Sequence, residues 1–234
     1  MTLAWIPNSL TMGNLLFGFI SIIYSSYGTQ EGYFIAGFLI LAAALLDGLD
    51  GPVARALKVA GPLGKELDSL ADCVAFGLAP GYLGFKAYLS GLDYQVFGIP
   101  IDLGIFIASV FPICAAYRLA RFNVLSEPGF RGLPSPLAGI IIALIPIYNI
   151  QLSRTFFGII FIVIGLLMVS TFKYTKPNSY ILQNIHGIKL VIFILSLALI
   201  LIFFKQWTVF IVIALYIMSG IFSFVIQFIQ DHKY

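Results

Sequence analysis

The run Phe34-Ile-Ala-Gly-Phe-Leu-Ile-Leu-Ala-Ala-Ala-Leu-Leu46 leads without a break into Asp47-Gly-Leu-Asp50-Gly51-Pro-Val-Ala54-Arg55. The first part is apolar enough to lie in a bilayer. The second places two carboxylates and a guanidinium at its end. A transmembrane helix needs about 20 mostly apolar residues, and runs of this kind recur along the chain. Read between polar, Gly and Pro breaks, they predict spans at about 8–27, 32–57, 68–90, 100–121, 134–151, 155–172, 187–204 and 207–230. The expected fold is therefore all-α, a polytopic transmembrane bundle of eight helices. The count drops to six or seven if the fifth and sixth, crowded together at Pro146 and Arg154, are read differently.

Composition points the same way. Of 234 residues, 60% are hydrophobic and 10% charged, and mean hydropathy is +1.02. Soluble domains carry about 25% charged residues, and a globule of this size has no interior large enough for so much apolar surface. A soluble enzyme, a disordered chain and a nucleic-acid binder are excluded. A transmembrane β-barrel shows short alternating segments, unlike the near-continuous runs Phe156–Phe172 and Ile188–Phe204. A net charge of +3 is too mild to define a partner. Cys73 and Cys114 lie in apolar stretches at no metal-ligand spacing and read as buried free thiols. His186 and His232 read as interfacial loop or tail residues. Met1–Ser9 has no basic segment, and no small-residue cleavage site follows, so the first apolar segment is expected to be retained. No linker interrupts the chain, which reads as one membrane domain over 1–234.

Basic residues in the loops set the orientation. With the N-terminus in the cytoplasm, Arg55, Lys58, Lys65, Arg118, Arg121, Arg131, Lys173, Lys176, Lys189 and Lys233 fall inside, and only Lys86, Arg154 and Lys205 fall outside. The expected location is the cell (inner) membrane, multi-pass, with the acidic segment facing the cytoplasm.

Acidic residues are few, and five of the ten lie between Asp47 and Asp72. Charges at membrane depth are costly and point to function. Asp47 and Asp50 are three apart at the inner end of the second helix. Asp68 and Asp72 are four apart at the start of the third. Each pair lies within about 40–60° on one helical face. The short connection with Gly61, Pro62 and Gly64 makes the two helices antiparallel neighbours, so the four carboxylates converge. They cannot all stay ionised without counter-charge. All-oxygen ligation suits hard cations such as Mg2+, Mn2+ or Ca2+, and four Asp suit a two-metal site. Gly51 and Ala54 leave a strip free of side chains that serves either a flat nucleotide or close helix packing. Arg55, one turn past Asp50, either forks onto a phosphate or snorkels to the interface.

The spacing D-x2-D-G-x2-A-R-x8-G-x3-D-x3-D resembles the signature of the CDP-alcohol phosphotransferases, and Asp47, Asp50, Gly51, Ala54, Arg55, Gly64, Asp68 and Asp72 meet every fixed position. Within that family, three patches look like the bacterial and archaeal serine phosphatidyltransferases: Ile6-Pro7-Asn8-Ser9-Leu10-Thr11-Met12-Gly13-Asn14-Leu15; Gly64 to Pro80; and Tyr117-Arg118-Leu-Ala-Arg121-Phe122-Asn123 followed by Gly132-Leu-Pro134-Ser135-Pro136. Pro52 departs from the usual basic or polar residue and is a candidate kink. Gly61 stands where a hydroxyl residue is common.

The resemblance implies transfer of a phosphatidyl group, or its ether-lipid equivalent, from a CDP-activated lipid to the hydroxyl of L-serine, with CMP released. It implies two divalent ions, Mg2+ or Mn2+, on Asp47, Asp50, Asp68 and Asp72, with Asp72 also the general base. It places the CDP moiety against Asn8, Thr11, Gly51, Ala54, Arg55 and Gly64, and the family tends to form homodimers. The serine carboxylate needs a cation: Arg118 and Arg121, three apart on one face, are the candidates, with Arg131, Ser135 and Lys65 behind them. Ser135 serves equally as a helix start. Two other readings compete. One keeps the chemistry with glycerol phosphate or inositol phosphate as acceptor. The other is a cation-coupled transporter, which lacks the second acidic segment that an inverted repeat predicts.

Overall fold

The computed structural model describes residues 3–96, 99–124, 130–171 and 173–174. The expected spans at 187–204 and 207–230, and both histidines, lie outside them. The described residues are mostly helical and fall into two units, the first of 3–96, 99–124 and 134–169 and the second of 130–133, 170–171 and 173–174.

In the first unit, helix α1 (Trp5–Ser26) buries a stripe of small and polar residues: Pro7, Thr11, Asn14, Gly18, Ser21 and Ser25. Trp5, Met12, Leu16 and Phe19 face outward, while Phe17 and Ile22 pack partly buried against the core. This inverts the soluble pattern, as expected where the surroundings are lipid and small residues let helices approach. A Cβ on Gly18 would stand 2.6 Å from the Ala75 Cα, and Ser21 donates to the Ala36 carbonyl at 2.9 Å. Gly28, at φ +69°, takes the left-handed turn after α1 that side chains resist.

Helix α2 (Gln30–Ala56) starts on Thr29, whose Oγ1 accepts the Gly32 N–H at 3.1 Å. It runs through Pro52 to Ala56, with Pro52 inside the helix. A helical rod then returns from Pro62: α3 (Pro62–Asp72), a π-helical turn (Cys73–Leu78), α4 (Ala79–Gly84) and a second π-helical turn (Phe85–Leu89). The third helix thus begins six residues earlier than position 68. Pro62 sits in the first turn, where its missing N–H costs nothing, after an extended Gly61. The first widened turn lies just before Pro80, whose ring and absent donor disturb the ladder four residues back.

An antiparallel hairpin, β1 (Asp93–Val96) and β2 (Ile99–Asp102), follows. Helix α5 (Leu103–Val124) therefore starts three residues later than expected. Helix α6 (Ser135–Ile147) and α7 (Arg154–Val169) are shorter than the runs that predicted them. Among the described residues, α1, α2 and α5 are long and apolar enough to cross a membrane singly. The core gathers Ala36, Ile40 and Ala43 of α2, Ala75, Phe76, Ala79 and Leu83 of the rod, and Ala143 of α6. Cys114 is buried as expected, but Cys73 is only half-buried, because its π-helical turn leaves it off the packed face.

In the second unit, β3 (Phe130–Arg131) pairs antiparallel with β4 (Lys173–Tyr174), Arg131 opposite Lys173.

Candidate metal centre and substrate cleft

The acidic centre is built by the turn between α2 and α3. Lys58 takes φ +57°. Its N–H reaches the Arg55 carbonyl at 3.1 Å, and the Val59 N–H reaches the Ala54 carbonyl at 3.0 Å. This paired closure ends α2 and satisfies its last carbonyls, though with a lysine where glycine is the unstrained choice. The chain then has only Val59, Ala60 and Gly61 before α3 begins. From this turn α2 and α3 diverge: α1 packs against both, and the expected antiparallel neighbours meet through their carboxylates rather than along their lengths.

One oxygen from each of Asp47, Asp50 and Asp68 lies within 4.8 Å of the other two. The Asp47 carboxyl also lies within hydrogen-bonding reach of both Asp68 and Asp72. Asp50 and Asp72 are buried. Thr11 donates to the Asp50 Oδ2 at 2.6 Å, and Asn14 donates from Nδ2 to the Asp72 Oδ1 at 3.2 Å. The Asp68 Oδ1 is buried without a hydrogen-bond partner. A compact all-carboxylate donor set with one buried oxygen left over fits a hard divalent cation.

Next to this centre opens a cavity of about 340 Å3. Its walls are Pro7, Asn8 and Thr11 of α1; Asp50, Gly51, Ala54 and Arg55 of α2; and Gly61, Gly64, Lys65 and Asp68 around the start of α3. Every position assigned to the CDP moiety lies on this surface. A Cβ on Gly51 would stand 3.3 Å from the Arg55 Nη1, and one on Gly64 would stand 3.5 Å from the Asn8 Oδ1. The two glycines therefore keep the cleft floor clear where Arg55 folds back and where α1 comes close.

The serine candidates are spread more widely. Lys65 lines the cleft, and its Nζ reaches the Asn123 carbonyl at 3.4 Å. Arg118 is buried and donates to the Ser135 Oγ at 2.9 Å. Arg121 donates to the Val169 carbonyl at 2.8 Å and lies 5.9 Å over the Tyr117 ring. Ser135 is the first residue of α6, with Pro134 in the cap position before it. The Arg131 backbone belongs to β3 of the second unit.

The sequence reading missed the roles of Asn14, Ser69 and Asn123. Asn14 is fully buried. A buried amide in an apolar helix is costly unless bonded, and that cost was the available signal. Asn123 donates to the Ser69 Oγ at 2.9 Å, tying the end of α5 to the helix that carries Asp68 and Asp72.

The chain matches known proteins over most of its length. The CDP-alcohol phosphatidyltransferase family profile matches residues 4–170. The chain is similar to a CDP-diacylglycerol–serine O-phosphatidyltransferase of Methanocaldococcus jannaschii, 35% identical over 82% of this chain and 84% of that one. The enzyme of the same name from Helicobacter pylori is 34% identical over 82% and 80%. An archaetidylserine synthase of Methanothermobacter thermautotrophicus is 35% identical over 74% and 71%. The profile covers both acid-bearing helices, the cleft and α5 to α7, and on that ground the chain belongs to the CDP-alcohol phosphatidyltransferase family.

Proposed function

We propose that this protein is a membrane-bound serine phosphatidyltransferase: it moves a phosphatidyl or archaetidyl-type group from a CDP-activated lipid to the hydroxyl of L-serine and releases CMP. The observation that carries the reading is the convergence of Asp47, Asp50 and Asp68, with Asp72 beside Asp47, at the end of a cleft walled by the remaining signature residues. The names of the relatives support serine as acceptor.

Asp47, Asp50, Asp68 and Asp72 would hold two divalent cations, Mg2+ or Mn2+. When bound, these supply charge neutralisation for the pyrophosphate and for the departing CMP. The chain's own residues do the rest. Arg55 and the cleared floor at Gly51, Ala54 and Gly64 receive the CDP moiety, with Asn8 and Thr11 on the facing wall. Asp72 accepts the proton of the serine hydroxyl. That oxygen bonds to the lipid-linked phosphorus as the bond from phosphorus to the CMP oxygen breaks, and CMP leaves with the electron pair. No enzyme-bound covalent intermediate is required. Positioning and electrostatics carry the rate. Lys65, which lines the cleft, is the first candidate cation for the serine carboxylate, with Arg118, Arg121 and Ser135 behind it.

The protein is further read as a multi-pass membrane enzyme of about eight spans, N-terminus and active site cytoplasmic, working as a homodimer. The basic loop residues support the orientation. A Cys introduced at position 65 should react with impermeant thiol reagents from the cytoplasmic face only.

The test is CMP release from a CDP-lipid in vesicles, with serine, glycerol phosphate or inositol phosphate added in turn. Serine alone should support turnover. Release with a phosphorylated acceptor and not with serine reassigns the acceptor, and no release with any acceptor defeats the transferase reading.

A further inference from the structure

We propose that α1 is the orienting wall of the acidic centre, with Asn14 a positioning residue for Asp72 and Thr11 one for Asp50. The inference rests on the proposed reaction for its kinetic part and on the acidic centre alone for its metal-binding part.

Three observations carry it. Thr11 and Asn14 are three apart on α1, hence on one face within about 60°, and each holds a carboxylate from a different acid-bearing helix. Both side chains are nearly or wholly withdrawn from solvent, at 3% and 0% exposure. And α1 is clamped to both acid-bearing elements, by the Gly18–Ala75 approach to the rod and by the Ser21 bond to α2. The donors thus come from a wall fixed against both helices.

The chemistry of these donors is specific. The Thr11 hydroxyl has one proton and two acceptors in reach, the Pro7 carbonyl at 3.1 Å and the Asp50 carboxylate at 2.6 Å. The charged and shorter contact takes it. A hydroxyl and an amide each occupy one carboxylate oxygen and leave the other available, without adding a cation that cancels the charge a metal needs. Two of the four acids, one per helix, are oriented this way. The two bonds serve different ends. Asp50 belongs to the three-carboxylate group with Asp47 and Asp68, so Thr11 acts on cation binding. Asp72 is both the fourth proposed ligand and the residue that receives the serine proton, so Asn14 acts on proton transfer as well as on cation binding.

The experiment uses the full chain in nanodiscs, with Mn2+ binding followed by titration calorimetry and turnover by CMP release. Thr11→Val should weaken Mn2+ by about tenfold, the cost of one charge-assisted hydrogen bond, and Thr11→Ser should restore it. Asn14→Leu should lower kcat at saturating Mn2+ by about tenfold on the same cost, with KM for both substrates changed little. Asn14→Gln, which keeps the amide but moves it, should behave as Asn14→Leu does and guards against a folding artefact. Unchanged Mn2+ affinity in Thr11→Val, retained kcat in Asn14→Leu, or an equal loss of every parameter in both variants overturns the proposal. If the wild type binds Mn2+ yet releases no CMP, the reaction is wrong, and the Thr11→Val and Thr11→Ser contrast alone decides whether α1 orients the centre.

Discussion

Two regions of this molecule use aspartate in opposite ways. At the hairpin, Asp102 accepts the backbone N–H groups of Gly91, Leu92 and Gly104 at 3.0, 3.3 and 2.8 Å. Those bonds, Gly91 first, hold its carboxyl below the usual carboxylate range. Arg154 closes the same corner through the Gly91 carbonyl at 3.1 Å. At the turn between α2 and α3, four carboxyl groups crowd together and receive one hydroxyl and one amide. The first arrangement spends an acid on architecture. The second leaves acid oxygens uncommitted in a place where burial makes that expensive, which is the mark of a ligand site.

The comparison breaks most visibly under substitution. Asp47→Asn, Asp50→Asn or Asp68→Asn should each remove most turnover, by about 100-fold or more, since a neutral amide oxygen is a weaker cation ligand. Asp102→Asn should leave kcat within about threefold, because the hairpin corner takes no part in the chemistry. Equal losses at both places, measured by CMP release, would erase the distinction.

A smaller effect separates acceptor binding from the metal centre. Lys65→Gln or Arg118→Ala should raise the KM for serine by about tenfold or more and leave the KM for CDP-lipid nearly unchanged. Serine titrations at saturating CDP-lipid check this. If neither moves, Arg121 remains as the cation to substitute.

Smaller still is the pH dependence of the hairpin. The folded state depresses the Asp102 pKa, so the unfolded chain binds the proton more readily. Its stabilisation is present above the unfolded value of about 3.9 and is lost as pH falls through the lower folded value. The thermal midpoint of wild type should exceed that of Asp102→Asn at pH 6 and converge on it as pH drops below 4. The smallest effect is at Lys58, where Lys58→Gly should relieve the left-handed strain and raise stability by up to about 1 kcal/mol, read by denaturation midpoint.

The same contrast explains what the sequence disclosed. The spacing from Asp47 to Asp72 is local, so helical periodicity aligns each pair of acids and the short turn brings the pairs together, and part of the cleft wall follows from small residues one turn away. The hairpin was hidden because Ile99-Pro-Ile-Asp102 reads as the start of an apolar run. The early start of α3 was hidden because Pro62-Leu-Gly64 has loop composition, although proline suits a first helical turn. Asn14 and Asn123 act across 58 and 54 positions, a separation that periodicity cannot bridge.

The central claim is that the Asp47, Asp50, Asp68 and Asp72 centre is a metal site that drives transfer to serine. The most direct measurement is serine-dependent CMP release by protein dialysed exhaustively against EDTA, followed by add-back of Mg2+ or Mn2+. The account predicts no turnover in EDTA and recovery with either ion in wild type, with no recovery in Asp68→Asn. Full turnover in EDTA would contradict it.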